Sequence, residues 1–272
     1  MRQDLNTSKT VYSNDFVMVR VDKTLREMME EKPSSRWDPG YWDPLLTITD
    51  AAFKDIKYPV KNIANFEELI TYGPIVVDKE FIPSKSGVAI LNQTEIIFTG
   101  LDFSSQIFAK ENSPWVIERA KVKINDIVLA RSGVGGVGKN KITIVNHKVN
   151  ACVGCFVDIL RLKEINPYYV IVFWKGIFGW SQIQKIISGV GTVNINFDEI
   201  RSIKIPVLPD LVQSHIESEY KKMSFYHDKA MEAKAKGDEA EYKENIEIAE
   251  LMLKDLIAKT EAVIRGERED VI

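Results

Sequence analysis

The chain has 272 residues, of which 45% are hydrophobic and 28% are charged. This composition supports a hydrophobic core and excludes a disordered or low-complexity protein. At about 150 residues per domain, the length fits one large domain, or one domain with an appendage. The longest apolar run, residues 168–174, is far shorter than the roughly 20 residues that a membrane-spanning helix needs. With two cysteines and no apolar secretory signal, we expect a soluble protein of the reducing cytoplasm.

The net charge of −3 is an average of two different parts. From residue 209 onward there are 10 basic and 16 acidic residues, which leaves 26 basic and 23 acidic residues in the part before it. Residues 131–185 include eight basic residues and only two acidic ones, Asp158 and Glu164. A basic block joined to an acidic tail favours two binding surfaces with different partners.

Short strands dominate the chain between residues 36 and 208, after an N-terminal segment, 1–35, that we leave unassigned. That segment holds one strand-like run at 16–21 and a short helical stretch at 25–31. β-Branched residues, alternation and Gly, Asn or Asp punctuation favour strands in the main block. Strands are predicted at 87–91, 95–98, 126–130, 142–145, 149–162 and 193–196, and helices at 66–72 and 167–188.

The C-terminal part, 209–272, is predicted to be a helical arm. A helix begins at Pro209 and Asp210, and a second one follows the turn at Gly237 and Asp238, which gives an antiparallel hairpin. The second helix carries apolar residues at alternating spacings of four and three, a heptad pattern. This stripe favours pairing with another helix, and packing on the chain's own domain is the alternative. Its residues are Ile246, Ala249, Leu253, Leu256 and Val263, with Tyr242 and Thr260 at the same spacing.

A glycine-rich segment at residues 133–140, GVGGVGKN, resembles both a dinucleotide fingerprint and a P-loop. Both of those sites need a helix directly afterwards, whose N-terminal amides hold the phosphate. The residues that follow read as a strand, and Asn140 stands where a P-loop has its Mg²⁺-binding Ser or Thr. We therefore predict a hairpin loop whose glycines let the backbone approach a partner, with Arg131, Lys139 and Lys141 contacting phosphates.

No catalytic or metal-binding constellation is evident in the sequence. The CVGC motif at 152–155 has no second cysteine pair, and on a strand its two thiols point to opposite faces. Residues 166–169, NPYY, lack the second proline of the amino-methyltransferase signature, and the three histidines are scattered. Residues 173–185 interleave aromatic, amide and cationic side chains. Gln182, Gln184 and Lys185 are types that read base edges or phosphates, and are as often a solvated helix face.

An ordered set of segments resembles the DNA specificity (S) subunits of type I restriction-modification systems. The resemblance covers about residues 36–265, and its order and spacing are more specific than any single motif. The chain has one recognition domain and one helical arm where a full subunit has two of each, so it resembles a half-subunit. The segments are WDPGYW at 37–42, VAILN at 88–92, KINDIVLARSG at 123–133, GVGTVNIN at 189–196, and IPVLP at 205–209 with Gln213.

The resemblance implies an α+β fold: a mixed α/β target recognition domain at 36–208, rich in short strands, followed by a coiled-coil-like helical arm at 209–272. It implies a non-catalytic, sequence-specific reader of one half of a bipartite site in double-stranded DNA. Partners would be adenine methyltransferase (M) subunits, with restriction (R) subunits as a further candidate, and a second copy bound through the arm. No cofactor is expected here, because S-adenosylmethionine and ATP would belong to partner subunits. The residues assigned to DNA are Arg131, Lys139, Asn140, Lys141, Lys175, Gln182, Lys185, Thr192 and Asn194.

Two other interpretations remain open at this stage. The chain could be the recognition module of a different DNA-modification or phage-defence complex. It could also be a helical scaffold or inhibitor that binds protein and no DNA. Replacing Lys139 and Lys141 with glutamate separates these classes, because only a DNA reader has DNA binding to lose.

Overall fold

The computed structural model describes residues 10–12, 17–19, 26, 53, 55–76, 86–104, 107–187 and 193–272. The predicted stretch at 25–31, apart from the helical Arg26, and the WDPGYW segment at 37–42 lie outside these residues. The described residues form eleven strands and five α-helices. The strands are β1 (Thr10–Tyr12), β2 (Val17–Val19), β3 (Val60–Asn62), β4 (Glu67–Tyr72), β5 (Val88–Leu91), β6 (Ile107–Ala109), β7 (Ile127–Ala130), β8 (Ile142–Ile144), β9 (Ala151–Val153), β10 (Val157–Leu162) and β11 (Lys204–Pro206). The helices are α1 (Pro167–Lys175), α2 (Ile177–Ile186), α3 (Phe197–Arg201), α4 (Asp210–Lys236) and α5 (Glu239–Ile264).

A four-stranded antiparallel sheet in the order β4-β10-β7-β8 is the centre of the fold. The prediction of a helix at 66–72 is wrong, because most of this segment is strand β4. Thr71 pairs with Ile159, and Leu69 pairs with Arg161. A segment of seven residues is too short for a stable isolated helix, so pairing with β10 decides its conformation. The predicted strands at 126–130 and 142–145 are confirmed as β7 and β8.

A smaller three-stranded sheet, β6-β5-β9, packs beside the first one. β5 is antiparallel to β6 and parallel to β9. The strand predicted at 95–98 is replaced by a 3-10 turn, Gln93–Glu95, followed by a single bridge between Ile96 and Leu101. The turn forms because the Glu95 carboxylate accepts a hydrogen bond from the Asn92 amide at 2.6 Å. The predicted strand at 193–196 is likewise reduced to a single bridge, between Asn194 and Ser132.

The helix predicted at 167–188 is interrupted at Gly176, so that α1 and α2 are separate helices. Gly176 has an extended backbone, with ψ of 173°. The amide of Ile177, at the start of α2, donates a hydrogen bond to Oε1 of Glu261 on α5 at 2.6 Å. A Cβ at Gly176 would lie 2.7 Å from the same oxygen, so glycine is required for this close approach. The C-terminal hairpin therefore caps a helix of the preceding part of the chain.

The C-terminal helices α4 and α5 form the predicted antiparallel hairpin, turning at Gly237 with φ of +77°. The predicted stripe on α5 is buried at Ala249, Leu253, Leu256 and Val263, whereas Ile246 is only half-buried. The four buried residues pack within this chain and are not available to another helix. The stripe is therefore a face packed within the chain, which is the alternative interpretation, and its four buried residues are withdrawn from the predicted dimer interface.

One hydrophobic core joins the four-stranded sheet, α1, α2 and the C-terminal hairpin. Trp174 and Tyr169 of α1 and Tyr220 of α4 are among its largest fully buried side chains. A second core fills the space between β5, β9 and the other face of β7 and β10. The start of α4 at Asp210 coincides with the predicted boundary at 208/209, but the first core runs across it. None of the helices among the described residues has the length and apolar character needed to cross a membrane.

Candidate nucleic-acid interface

The glycine segment 133–140 connects the antiparallel strands β7 and β8, as the sequence predicted. It contains one 3-10 turn, Val137–Lys139, and then enters β8 directly. The absence of a helix after this loop removes the N-terminal amides that a P-loop or a dinucleotide fingerprint needs. The segment is therefore a hairpin connection with an exposed tip at Val134 and Gly135.

Contacts from beneath fix the conformation of this loop. Gly133, at φ of +84°, donates its amide hydrogen to the Val193 carbonyl oxygen at 2.8 Å. A Cβ at Gly136 would lie 2.3 Å from the Ser132 carbonyl oxygen, a distance that no side chain tolerates. The Lys141 ammonium donates to the carbonyl oxygen of Gln93 at 2.7 Å. Glycine at 133 and 136 thus sets the path of the backbone.

Three arginines and two aromatic rings alternate beside the loop, and we call them the arginine–aromatic ladder. The guanidinium carbon of Arg131 lies 4.3 Å from the ring centre of Tyr72 and 5.4 Å from that of Phe197. The guanidinium carbon of Arg119 lies 5.1 Å from the ring centre of Tyr72, and that of Arg201 lies 6.0 Å from the ring centre of Phe197. Cation–π contacts of this kind hold guanidinium groups in fixed orientations while keeping their charge.

Hydrogen bonds anchor the outer arginines of the ladder. Arg119 donates to the Tyr72 carbonyl oxygen at 2.6 Å, and Arg201 donates to both oxygens of Glu67 at 2.7 and 2.9 Å. Hydrogen bonds to Glu67 and Asp198 raise the pKa of Arg201 further above its ordinary value. Among the described residues Arg131 has no such bidentate partner, and its side chain is 24% exposed. The ladder therefore presents a fixed row of guanidinium groups, in which the charge of Arg201 is offset by Glu67 and Asp198, and such fixed guanidinium groups suit phosphates.

The structure brings five of the predicted DNA-binding residues together around the loop: Arg131, Lys139, Asn140, Lys141 and Asn194. Lys139 is exposed, and Asn140 ends the 3-10 turn in the left-handed region, with φ of 50°. Lys141 is half-buried because its ammonium is bound beneath the loop. Asn194 is exposed and pairs with Ser132. Thr192 lies outside the described residues.

Three other predicted residues are buried inside the fold and are withdrawn from the predicted interface. Gln182 accepts a hydrogen bond from the Lys204 amide at 2.8 Å and donates one to the Phe178 carbonyl oxygen at 2.8 Å. Lys185 is 6% exposed. Lys175 is 9% exposed, and its ammonium, 4.9 Å from the Phe98 ring, has no hydrogen-bond partner among the described residues. Helical spacing did not reveal that the polar positions of α1 and α2 face the core.

The ladder and one exposed aromatic residue were not identified from the sequence. Tyr72, Arg119 and Phe197 are separated along the chain, so only the fold brings them to Arg131. Phe156 lies in the turn before β10 with 58% of its surface exposed. Its carbonyl oxygen accepts a hydrogen bond from the Arg131 amide at 3.0 Å, which places this turn beside the ladder.

The two cysteines of the CVGC motif differ in burial and in secondary structure. Cys152 is buried in β9, whereas Cys155 lies in the following turn, and both are free thiols. Burial raises the pKa of Cys152 to about 11, which keeps it a thiol at neutral pH. Among the described residues, no group of three or more His, Cys, Asp or Glu side chains is placed to hold a metal ion.

A groove of about 370 Å³ lies between the strand-rich part and α4. Its polar side chains pair across it: His147 contacts Asp228 at 2.8 Å, and Lys234 donates to Asp102 at 2.5 Å. His227 of α4 is buried there, with Nε2 donating to the Leu101 carbonyl oxygen at 3.1 Å. These contacts hold α4 against the strand-rich part.

No protein-family model matches the chain, and no curated protein matches it. Three solved structures are similar to it. One is the S subunit of a type I restriction-modification system from M. genitalium, with 12% identity, a TM-score of 0.43, and coverage of 66% of this chain and 41% of that one. A second structure, described as the structural basis of complex assembly and conformational transition of the type I R-M system, has 11% identity and a TM-score of 0.45. The match covers 87% of this chain and 55% of that one. The third is the HsdS subunit from Thermoanaerobacter tengcongensis, with 11% identity and a TM-score of 0.45. That match covers 89% of this chain and 55% of the other. The chain thus spans about half the length of these structures.

Proposed function

We propose that this chain is a non-catalytic, sequence-specific DNA-binding specificity subunit of a type I restriction-modification system. It reads one half of a bipartite site through the glycine loop and the arginine–aromatic ladder. The observation that carries the proposal is the fixed row of Arg119, Arg131 and Arg201 beside an exposed loop that carries Lys139. Guanidinium groups held by aromatic rings suit phosphates, and a tightly approaching backbone suits a groove of DNA.

The C-terminal hairpin is proposed to dock methyltransferase subunits. Residues 209–272, which include it, carry a net charge of −6, from 10 basic and 16 acidic side chains, which disfavours contact with DNA and favours contact with protein. Its inner face is buried, so a methyltransferase subunit or a second copy of this chain would use the outward face, where Phe225 and Leu251 are exposed. S-adenosylmethionine and ATP would belong to the partner subunits.

Measuring binding to a mixed pool of duplexes as a function of salt tests the proposal. The logarithm of the affinity should fall linearly with the logarithm of the salt concentration, by about 0.9 for each phosphate neutralised, and selection should enrich one sequence. The double variant Arg119→Glu, Lys139→Glu should lose binding. Lys141 is a poor choice for this variant, because its ammonium supports the loop through Gln93.

The matched control is Lys243→Glu, Lys254→Glu on α5, which makes the same change in net charge at exposed positions of the hairpin. The control should keep the affinity of the unchanged protein. Equal loss in both double variants would assign the effect to net charge alone. Absence of DNA binding in the unchanged protein, alone and with a co-purified methyltransferase, would leave only the protein-binding scaffold among the alternatives.

A further inference from the structure

Asp158 is a fully buried carboxylate at the base of the arginine–aromatic ladder. It lies in β10, one of the two inner strands of the sheet, between Tyr72 of β4 and Leu129 of β7. The described residues supply no hydrogen bond to either of its side-chain oxygens. Its ionic contact is with Arg131, whose Nε lies 3.5 Å from Oδ1, too far for a good hydrogen bond.

A buried carboxylate directly before β7, Asp126, is fully paired and shows what Asp158 lacks. Asp126 accepts hydrogen bonds from Arg161 at 2.7 and 2.8 Å and from the Lys123 amide at 2.7 Å. An unpaired buried carboxylate is costly, and such a group in a native fold calls for an explanation. Asp158 has a single loose contact, and that contact is made by an arginine of the proposed DNA surface.

We propose that Asp158 is a positioning residue that holds Arg131 in the ladder of the free protein and releases it to a DNA phosphate, taking up a proton from solvent. This inference rests on the proposed function. When a phosphate oxygen replaces the carboxylate beside the guanidinium, Asp158 is left without a cation. Its carboxylate then binds one proton and becomes a neutral carboxylic acid, while Arg131 stays charged throughout.

The surroundings of Asp158 support this exchange. Arg131 contacts Asp158, and Tyr72 pairs with it across the sheet. The other charged groups of the ladder are Arg119, on the Tyr72 ring, and Arg201 of α3, which contacts the Phe197 ring and is neutralised by Glu67 and Asp198. Burial raises the pKa of Asp158 to about 7, and the charge of Arg131 lowers it against that trend. Loss of Arg131 to a phosphate removes the lowering contribution, so the pKa in the complex lies above the pKa in the free protein.

The sign of the pH dependence follows from these two states. Below pH 7 Asp158 is protonated in both the free and the bound protein, and the affinity for DNA is highest. As the pH rises through the free-state pKa of about 7, the free protein loses the proton that the complex keeps, so the affinity falls. One linked proton gives up to about a tenfold loss of affinity per pH unit.

The test compares duplex affinity between about pH 6 and about pH 8.5 at constant ionic strength. The affinity of Asp158→Asn for DNA should not change with pH. At the highest pH of the range, this variant should bind as tightly as the unchanged protein does at the lowest. Asp158→Ala, which leaves no amide to pair with Arg131, should behave in the same way, and circular dichroism checks that both variants fold. Glu67→Gln changes another acid of the ladder and should keep the original slope.

Infrared difference spectra give a second measurement. Addition of duplex should produce the carbonyl stretch of one protonated carboxylic acid, which is absent from Asp158→Asn. DNA binding with an unchanged pH slope in both Asp158 variants would overturn this inference and leave the proposed function intact. Equal weakening of binding at every pH in both folded variants would also overturn it. Absence of salt-dependent DNA binding by the unchanged protein would overturn the proposed function, and this inference with it.

Discussion

Replacing Lys175 with methionine should make the protein more stable at neutral pH. Lys175 lies in the last turn of α1, 9% exposed, and no described residue accepts a hydrogen bond from its ammonium. Burial lowers its pKa from 10.5 to about 7. Methionine has a similar length and flexibility and carries no charge, so it can fill the same space without the desolvation cost.

The size of the effect follows from the pKa. A lysine whose pKa falls from 10.5 to about 7 on folding lowers the free energy of unfolding at pH 7 by about 4 kcal/mol. The contact with the Phe98 ring and local relaxation offset part of this cost, so a gain of about 2–3 kcal/mol is expected for the variant. Above pH 7 the unfolded chain binds the extra proton, so the stability of the unchanged protein rises with pH by about 1.4 kcal/mol per unit.

Urea unfolding at about pH 7 and about pH 9.5 measures both effects as midpoint shifts. The variant should have the higher midpoint at neutral pH, and the difference should shrink at the higher pH. Lys254→Met is the control, because Lys254 is an exposed residue of α5 paired with Glu250, and its loss should change little. A variant that is less stable at both pH values, or that keeps the rise with pH, would refute the reasoning.

Three further predictions concern the groove and the proposed DNA surface. Burial lowers the pKa of His227 below 6.5, so the free energy of unfolding should fall as the pH drops below about 6.5. In thermal melts, His227→Asn should lack this loss of stability at acidic pH. Gly136→Ala should distort the loop and reduce DNA affinity at least tenfold, whereas Gly135→Ala, with nothing within 4 Å of its new Cβ, should bind normally in a fluorescence anisotropy titration. Phe156→Ala should weaken DNA binding by about 1–3 kcal/mol if its exposed ring stacks on a base. Phe225→Ala, at 55% exposure on α4, should bind DNA like the unchanged protein, and equal effects of the two changes would argue against a role for Phe156.

Periodicity predicted the parts of the fold that are long or bounded by glycine. The hairpin of α4 and α5 follows from its heptad spacing and from Gly237, whose left-handed conformation suits a turn without a side chain. The same reasoning failed at 66–72, where strand pairing at long range overrode a short helical pattern. It also missed the break at Gly176, because the carboxylate that caps the start of α2 belongs to Glu261, which is distant in the sequence.

The candidate site was predicted only where its residues are neighbours in the sequence. The residues of the glycine segment are contiguous, so their common location could be inferred from the sequence. The ladder depends on side chains from β4, a 3-10 turn and α3, which no local pattern connects to Arg131. Composition also cannot distinguish an exposed lysine from a buried one. Lys139 and Lys175 therefore had equal standing as phosphate contacts until the fold separated them.

The way the strands pair has a consequence for how the chain is made. β3 pairs with β11, and the Ile63 amide donates to the Ile203 carbonyl oxygen at 2.9 Å. During synthesis, β3 therefore stays unpaired until β11 has been made. Val212 and Ile216 of α4 then complete the same core. A nascent chain would leave the ribosome with α1 uncovered until the C-terminal hairpin follows it. Premature termination near residue 208 should thus yield an aggregation-prone fragment rather than a free recognition domain.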